Sequence, residues 1–409
     1  MKLWFKYAAG ILFGAALFAV CPKTLLDDGG ALASVAELSI RIGYYVFGAL
    51  LCVNIPLSVL KLYEEKKFWS IGLKSLRFFL LSLFAATAIG IAAALVALPV
   101  RIPLLSDTSS QSVQSIGSGL FEIFPESLGA IFLGPGGRIV PAIVFAFIIG
   151  LAMAHDPIAA RPAANLLDSL SRIFHTINAF MTEILGVLLI PISARALYLV
   201  TTSLGGGIYA SFLLILGIAS SALLLLFIPL AIFLLSGRKN PIPVLYSGLP
   251  AALAALISGN LRFSAGLTMR QARENLGIKR RYNAIAMPAG LLFGRAGTAF
   301  VAAISFVIIL SSYSQLAISI PSLIAIFLLI PATTILASSS MQSGPIAVLT
   351  LSCGFFGRGF ENGYLVMVPI AMLLSMIASL IDALWIGASQ ALVARHIIAR
   401  DQKDSRHFI

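Results

Sequence analysis

The chain has 409 residues, of which 59% are hydrophobic and only 11% carry a charged side chain. Soluble domains carry about 25% charged residues because water must solvate their surface, so this composition excludes an ordinary soluble enzyme. The net charge of +12 comes from residues spread over short connections between apolar blocks, whereas a nucleic-acid-binding protein clusters its basic residues on a polar domain.

Ten apolar blocks follow one another along the chain, and most have the roughly 20 residues that cross a bilayer as a helix. The first six are regular and occupy residues 5–22, 38–60, 72–98, 139–155, 176–199 and 208–235. The other four alternate between irregular and long blocks, at residues 241–271, 280–312, 318–353 and 363–394. The predicted fold class is an all-α polytopic membrane protein, with the first block kept as an uncleaved helix.

The distribution of lysine and arginine between the loops predicts the orientation of the chain. Basic residues lie before the first block and after the second, fourth and sixth: Lys2, Lys6, Lys61, Lys66, Lys67, Lys74, Arg161, Arg172, Arg238 and Lys239. The intervening loops are neutral or acidic, with Asp27, Asp28, Glu37, Asp107, Glu122 and Glu126. Short basic loops stay in the cytoplasm, so the N-terminus and the basic C-terminal tail are both predicted to lie there.

Block 241–271 has basic flanks on both sides, which a single crossing would place in different compartments. The flanking residues are Arg238, Lys239, Arg270, Arg273, Lys279, Arg280 and Arg281. Ser258-Gly259-Asn260 and Gly266 interrupt the block. A hairpin that enters from the cytoplasm and returns there satisfies both observations.

The orientation of block 318–353 follows from its neighbours. Block 280–312 must end outside and block 363–394 must begin outside, so block 318–353 must enter and leave the membrane from the outside. It is interrupted by Ser338-Ser339-Ser340 and Ser343-Gly344-Pro345, and such backbone needs protein or a water-filled cavity around it. The C-terminal half therefore contains two units, each a hairpin followed by a helix, and the two hairpins enter the membrane from opposite sides. Such an inverted repeat is typical of the binding region of a transporter. The alternative is that both blocks are kinked spans, which gives ten crossings.

Several stretches between residues 68 and 395 carry a family resemblance through their order and spacing. They are 121–153 (FEIFPESLGAIFLGPGGRIVPAIVFAFIIGLAM), 164–168 (ANLLD), Thr268-Met269-Arg270, Asn275-Leu276-Gly277-Ile278, Pro288, Gly290 and Gly297-Thr298-Ala299. Together they resemble the dicarboxylate/amino acid:cation symporter family, the glutamate-transporter homologues.

The resemblance implies eight membrane helices plus two re-entrant hairpins, assembled as a homotrimer in a bacterial inner membrane. It also implies a scaffold and a transport core that slides across the membrane as an elevator. The corresponding segments are 1–66 (helices 1 and 2, scaffold), 67–137 (helix 3 and an extracellular loop), 138–237 (helices 4–6), 238–398 (transport core) and 399–409 (cytoplasmic tail).

The site positions depart from the family's pattern. The first hairpin tip, Gly259–Gly266, reads GNLRFSAG and keeps only Ser264 of the family's serine run. The unwound motif of the seventh helix reads Gly294-Arg295-Ala296-Gly297-Thr298. The family's substrate and sodium ligands in the third and eighth helices fall on Phe79, Ser82, Leu83, Ser375, Ala378 and Ile386, and Asp382 stands where the family has asparagine. Hard cations need oxygen ligands, so these changes argue against standard sodium-coupled glutamate uptake.

Three charged residues are predicted at membrane depth, where each costs at least ~2.5–3.5 kcal/mol and therefore needs a partner or a cavity. We expect the Arg295 guanidinium to stand where the family binds cations, Asp382 to be its counter-ion or a proton carrier, and Arg262 to hold a substrate carboxylate. In the alternative, Arg295 and Asp382 form a structural pair and Arg262 snorkels to the interface. Glu183 and Arg195 are expected to mark interhelical pairing or anchoring at the membrane interface.

The predicted solute-binding set joins these charges to the hydroxyls and backbone of both hairpin tips. It consists of Arg262, Ser264, Arg295, Thr298, Ser338, Ser339, Ser340, Ser343, Gly344, Ser375 and Asp382. The second tip is interpreted as a gate that touches solute, although polar residues also occur at any helix break.

The predicted function is secondary transport of a small carboxylate-bearing solute, such as an acidic amino acid or dicarboxylate, coupled to Na⁺ or H⁺. No cofactor, enzymatic activity or nucleic-acid partner is expected, because no phosphate-binding loop, metal cluster or nucleophile–base pair is present in the sequence. Two alternatives stay open: a sodium-independent carrier in which Arg295 replaces a cation, and a non-transporting scaffold or ion-conducting relative.

Overall fold

The computed structural model describes residues 2–27, 29–96, 139–204, 207–238, 240–313, 319–338, 344–357 and 360–397, and within these ranges every regular element is helical. The α-helices are α1 (Leu3–Val20), α2 (Ala31–Glu64), α3 (Phe68–Val96), α4 (Ile139–His155), α5 (Arg161–Leu204), α6 (Ala210–Ala222), α7 (Ile228–Leu235), α8 (Ile242–Ser258), α9 (Leu261–Glu274), α10 (Arg280–Phe293), α11 (Ala296–Tyr313), α12 (Ile320–Ala337), α13 (Pro345–Phe356) and α14 (Ala371–Ile397). A π-helical turn, Leu223–Phe227, joins α6 to α7, and 3₁₀ turns occupy Lys23–Leu25 and Gly363–Ile370.

Eight helices in the described ranges are long and apolar enough to cross a bilayer, as expected of an integral membrane protein. By length and composition alone they include α12, whereas α4 begins directly after residues outside the described ranges and has 17 described residues. Helices α2 and α5 extend well beyond the predicted blocks 38–60 and 176–199. The additional turns at 61–64 and 161–175 carry charged residues, among them Lys61, Asp168 and Arg172, and hydropathy detects only the part of a helix that lies in lipid. The predicted extracellular loop before α4 lies outside the described residues.

The first irregular block is a helical hairpin whose arms are α8 and α9. Gly259 adopts the left-handed conformation (φ 59°), and the Asn260 side chain accepts a hydrogen bond from the Arg262 backbone N–H at 2.9 Å. The predicted break at residues 258–260 is therefore confirmed. The predicted second break at Gly266 is wrong, because this residue lies inside α9. A Cβ there would be 2.4 Å from Asn178 Oδ1, so the glycine permits the close approach of α5.

The second irregular block is also a pair of helices, α12 and α13, with the break where the sequence placed it. Helix α12 ends at Ala337 and α13 starts at Pro345, while residues 339–343 lie outside the described ranges. The Thr333 and Ser352 hydroxyls hydrogen-bond between the two arms at 2.8 Å. The side from which each hairpin enters the membrane, the inverted repeat and the elevator motion stay predictions.

Two groups of helices pack around these hairpins. Helix α1 lies along α5, and α2 packs against α4 and α5. Helix α3 lies along α11, and α8 lies along α14. The α10–α11 pair is the most buried of the spanning segments, because 89% of its 18-residue apolar stretch is buried inside the protein. The centre of the molecule is therefore the junction between α10 and α11.

Candidate functional site

The chain is unwound at Gly294-Arg295, between α10 and α11. A Cβ at Gly294 would lie 2.8 Å from two atoms of the Phe79 ring, and a Cβ at Gly297 would lie 2.5 Å from the Ala378 carbonyl oxygen. Only glycines allow this approach of the unwound segment to α3 and α14. The break is thus held between two helices and exposes backbone groups deep inside the protein.

Asp382 caps the helix that restarts after this break. Its Oδ1 accepts hydrogen bonds from the Gly297 and Thr298 backbone N–H groups at 2.6 and 3.2 Å, and its Oδ2 accepts one from the Thr298 hydroxyl at 2.6 Å. The residue is 1% exposed. A carboxylate at a helix N-terminus satisfies unpaired N–H groups and interacts favourably with the helix dipole. These neutral donors stabilise the negative charge of Asp382 and occupy both of its oxygens.

Arg295 precedes this cap and is buried, with 2% of its surface exposed. Its Nε donates to the Leu291 carbonyl oxygen at 3.0 Å, which turns the guanidinium toward the end of α10. Arg262 and Asp382 both lie close enough to interact electrostatically with it. Arg262 is itself buried, at the start of α9. The three charged residues singled out from the sequence therefore form one cluster with two positive charges and one negative.

Both hairpin tips reach the same residue of α14. A Cβ at Gly259 would lie 3.5 Å from Ser375 Cβ, and a Cβ at Gly344 would lie 3.0 Å from Ser375 Oγ. Asp382 follows Ser375 by two helical turns on the same face, a distance of about 10 Å along the axis. The two tips thus converge beside the charged cluster, and Ser375 is only partly buried.

The other serine hydroxyls predicted to bind solute are not clearly directed toward Ser375 and the charged cluster. The Ser264 hydroxyl donates to Leu261 O at 3.0 Å, and the Ser338 hydroxyl donates to Ile335 O at 2.6 Å, each within its own helix. Such bonds to a preceding carbonyl are common for serine in helices. Ser339, Ser340 and Ser343 lie outside the described residues. The role of the whole set in solute binding stays a prediction.

The sequence analysis missed the residues that hold the first hairpin in place. Asn260 caps the N-terminus of α9, and the sequence signal for this cap was an asparagine directly after a glycine. Asn178 Nδ2 donates to Gly266 O at 2.9 Å, and no sequence pattern pairs them. Glu183 was expected to mark interhelical pairing, and this is confirmed by its ion pairs with Lys6 and, at 3.0 Å, with Arg270.

The residues around the break do not fit a sodium ion. The buried side chains of Phe79, Leu83 and Ile386 are apolar, and the Ser82 hydroxyl donates to Phe79 O at 2.7 Å. Among the residues that the structure describes, no group of three or more acidic, histidine or cysteine side chains could hold a metal ion. A sodium ion needs several oxygen ligands, and the oxygens of Asp382 already accept three hydrogen bonds.

Comparison with known proteins agrees with the resemblance carried by the sequence motifs. No curated protein matches the chain. A model of the sodium:dicarboxylate symporter family matches residues 2–396, nearly the whole length. The chain therefore belongs to the sodium:dicarboxylate symporter family, whose members are membrane transporters and not enzymes.

Proposed function

We propose that this protein is a secondary transporter for a small carboxylate that lacks an amino group, and that Arg295 takes the place of the coupling sodium ion. The observation that carries the proposal is the buried cluster of Arg262, Arg295 and Asp382 beside the two hairpin tips. Its net charge of one positive unit favours an anion.

The energetic argument concerns two arginines that are buried close to one acidic residue. A charged side chain at the centre of a membrane helix costs at least ~2.5–3.5 kcal/mol unless it is paired or hydrated. The three side chains together carry one more positive than negative charge, so a solute carboxylate would be attracted to them. The planar guanidinium binds a carboxylate through two parallel hydrogen bonds, which orients the solute as well as attracting it.

The absence of an acidic partner argues against an amino acid as solute. The sequence from residue 240 to 397 contains three acidic residues, Glu274, Glu361 and Asp382. Glu274 pairs with Arg270 at the end of α9, and Glu361 is exposed in a connection. Asp382 is occupied by the α11 N-terminus. An ammonium group would thus find no free carboxylate, so dicarboxylates such as succinate fit better than aspartate or glutamate.

The movement that accompanies transport is part of the same proposal. The scaffold would consist of α1, α2, α4 and α5, which pack on one another, and the moving core would consist of α3 and α8–α14. The second hairpin would open as the gate. The protein would assemble as a homotrimer in a bacterial inner membrane, with both termini in the cytoplasm, as the loop charges indicate.

Uptake by the purified protein in lipid vesicles tests the proposal. We expect entry of labelled succinate without a sodium gradient, and none of aspartate, glutamate or neutral amino acids. Arg295→Met should abolish uptake, because the cluster then loses its anion-attracting charge. Arg273→Met, at an exposed position, is the matched control and should retain uptake.

The other outcomes separate the alternatives. Uptake that requires sodium would contradict the role given to Arg295, and uptake of aspartate would contradict the amine argument. Flux driven by a pH gradient alone would identify the proton as the coupling ion. An absence of flux for every solute would favour a non-transporting or ion-conducting relative, to which the missing family carboxylates also point.

A further inference from the structure

A cavity of roughly 100 Å³ lies between α3, the α6–α7 segment and α14. Its inner wall contains Ala296 and Ile381, which neighbour Arg295 and Asp382 in sequence. Trp385 and Ala86 form its sides. The cavity therefore reaches the residues adjoining the charged cluster, from the side of α3 and α6–α7.

The walls of the cavity offer almost nothing that could recognise a polar ligand. Alanine, isoleucine, leucine, phenylalanine and tryptophan side chains form nearly all of it. Ser82 is its one hydroxyl-bearing residue, and that hydroxyl already donates to the Phe79 carbonyl at 2.7 Å. Apart from the Trp385 indole N–H, which has no hydrogen-bond partner among the described residues, the walls would therefore contact an occupant through hydrocarbon groups.

The cavity is bordered by the π-helical turn Leu223–Phe227. A π turn contains one residue more than an α turn, which widens the helix locally and disturbs its packing against a neighbour. Leu223 and Phe227 line the cavity, while Leu225 and Leu226 are 80% and 60% exposed. Phe227 is itself 39% exposed. These exposed apolar residues belong to a helix that is long and apolar enough to span a bilayer, so lipid would contact them beside the cavity.

We propose that this cavity is a binding site for one acyl chain of a membrane phospholipid. Apolar side chains gain no hydrophobic stabilisation by facing protein rather than lipid, so the bilayer does not force the cavity to close. An empty cavity would leave its wall atoms without dispersion contacts, and a flexible chain entering beside Phe227 restores them. The end of that chain would then lie against Ala296 and Ile381.

Fluorescence of Trp385 tests the proposal independently of any transported solute. The chain has three tryptophans, so a Trp4→Phe/Trp69→Phe parent leaves Trp385 as the single fluorophore. In vesicles of phospholipids brominated on their acyl chains, quenching requires close approach of bromine to the indole. We expect strong quenching of Trp385 although only 7% of this residue is exposed.

Filling the cavity should then protect the indole. Ala231→Phe, from the α7 wall, should remove most of the quenching, and Ala86→Leu, from the α3 wall, should do the same if the first variant fails to fold. Leu230→Phe is the matched control, because Leu230 lies outside the cavity wall and is 47% exposed. Absent quenching in the parent, or equal quenching in parent and filled variants, would overturn the proposal.

Discussion

The two helical hairpins differ in how they are attached to the rest of the protein. The first is tied on two sides by buried polar contacts. Ser379 of α14 donates to the Ala255 carbonyl of α8 at 2.7 Å, and Asn178 of α5 donates to the Gly266 carbonyl of α9. The second hairpin is linked internally through Thr333 and packs with apolar residues on α3 and α11.

The surfaces of the arms show the same difference. Helix α9 is buried along almost its whole length, including Arg262 at its start. Helix α12 leaves Ile320, Ile324 and Leu328 more than half exposed, so its outer face lies toward lipid. In a bilayer, lipid replaces an apolar contact at little cost, whereas separating polar partners leaves them unpaired. Among the described residues, which exclude 339–343 at the tip of the second hairpin, polar ties to neighbouring helices are seen for the first hairpin, and we therefore predict that the second opens more easily.

The largest effect should come from crowding the first hairpin against α5. In Gly266→Ala the added methyl group would meet Asn178 Oδ1 at 2.4 Å, and moving that side chain would break its bond to Gly266 O. We expect the free energy of unfolding in mixed micelles to fall by about 1–3 kcal/mol. Gly248→Ala is the matched control in α8, where the new Cβ meets only Leu384 Cδ2 at 3.5 Å. Equal stability of the two variants would contradict the α5 anchor.

The turn of the first hairpin should be the next most sensitive point. Gly259 has φ 59°, and a Cβ raises the energy of this left-handed conformation by about 1–2 kcal/mol. Gly259→Ala should lower stability by that amount, while Gly259→Asn should cost less because asparagine tolerates left-handed backbone. The same unfolding titration measures both. A larger loss in the asparagine variant would show that contact with Met372 and Ser375, and not backbone strain, decides the outcome.

Most of the contacts that attach the first hairpin to its neighbours could not be predicted from the sequence. Apolar length and the residues at the interruptions located both helix pairs and the break at 258–260, because those signals are local. The same signals did not show whether Gly266 ends a helix or allows a neighbouring helix to approach closely, since glycine occurs in both situations. The cost of buried charge predicted a partner for Asp382, but its hydrogen bonds go to Gly297 and Thr298, and such a choice depends on helix register in three dimensions.

The cavity beside the charged cluster could not be predicted at all. Its π turn lies in the run Leu223–Phe227, which reads LLLLF and looks like any other part of a spanning helix. One additional residue in a turn leaves hydropathy and composition unchanged. By contrast, the two buried arginines were recognisable from sequence because a charge in an apolar block is rare and costly.

A smaller effect is expected at the ion pair between the first hairpin and α5. Arg270 Nη1 lies 3.0 Å from Glu183 Oε1 and donates to the Thr182 hydroxyl at 2.6 Å. Because Glu183 is 38% exposed, we expect a coupling of only about 1 kcal/mol in a double-mutant cycle of Arg270→Gln and Glu183→Gln. A parallel cycle with Glu274→Gln, the partner of Arg270 within α9, should give about 0.3–0.5 kcal/mol. If the coupling to Glu274 were the larger one, Arg270 would mainly stabilise α9 itself and would contribute little to holding α9 against α5.

The smallest effect should come from the hydroxyl contact that joins the two described arms of the second hairpin. Thr333→Val keeps the shape of the side chain and removes its bond to the Ser352 hydroxyl. Interhelical hydrogen bonds in membrane proteins average about 0.6 kcal/mol, and a loss of that size is expected here in the unfolding titration. Since a gate must open in each cycle, we also expect faster exchange of solute across the membrane than in the parent protein. Thr334→Val is the matched control, because its hydroxyl bonds only the Ile330 carbonyl of its own helix among the described contacts. If Thr333→Val cost as much as Gly266→Ala, the two arms of the second hairpin would be held together as strongly as the first hairpin is held against α5, and separation of those arms could not be the easy step of gate opening.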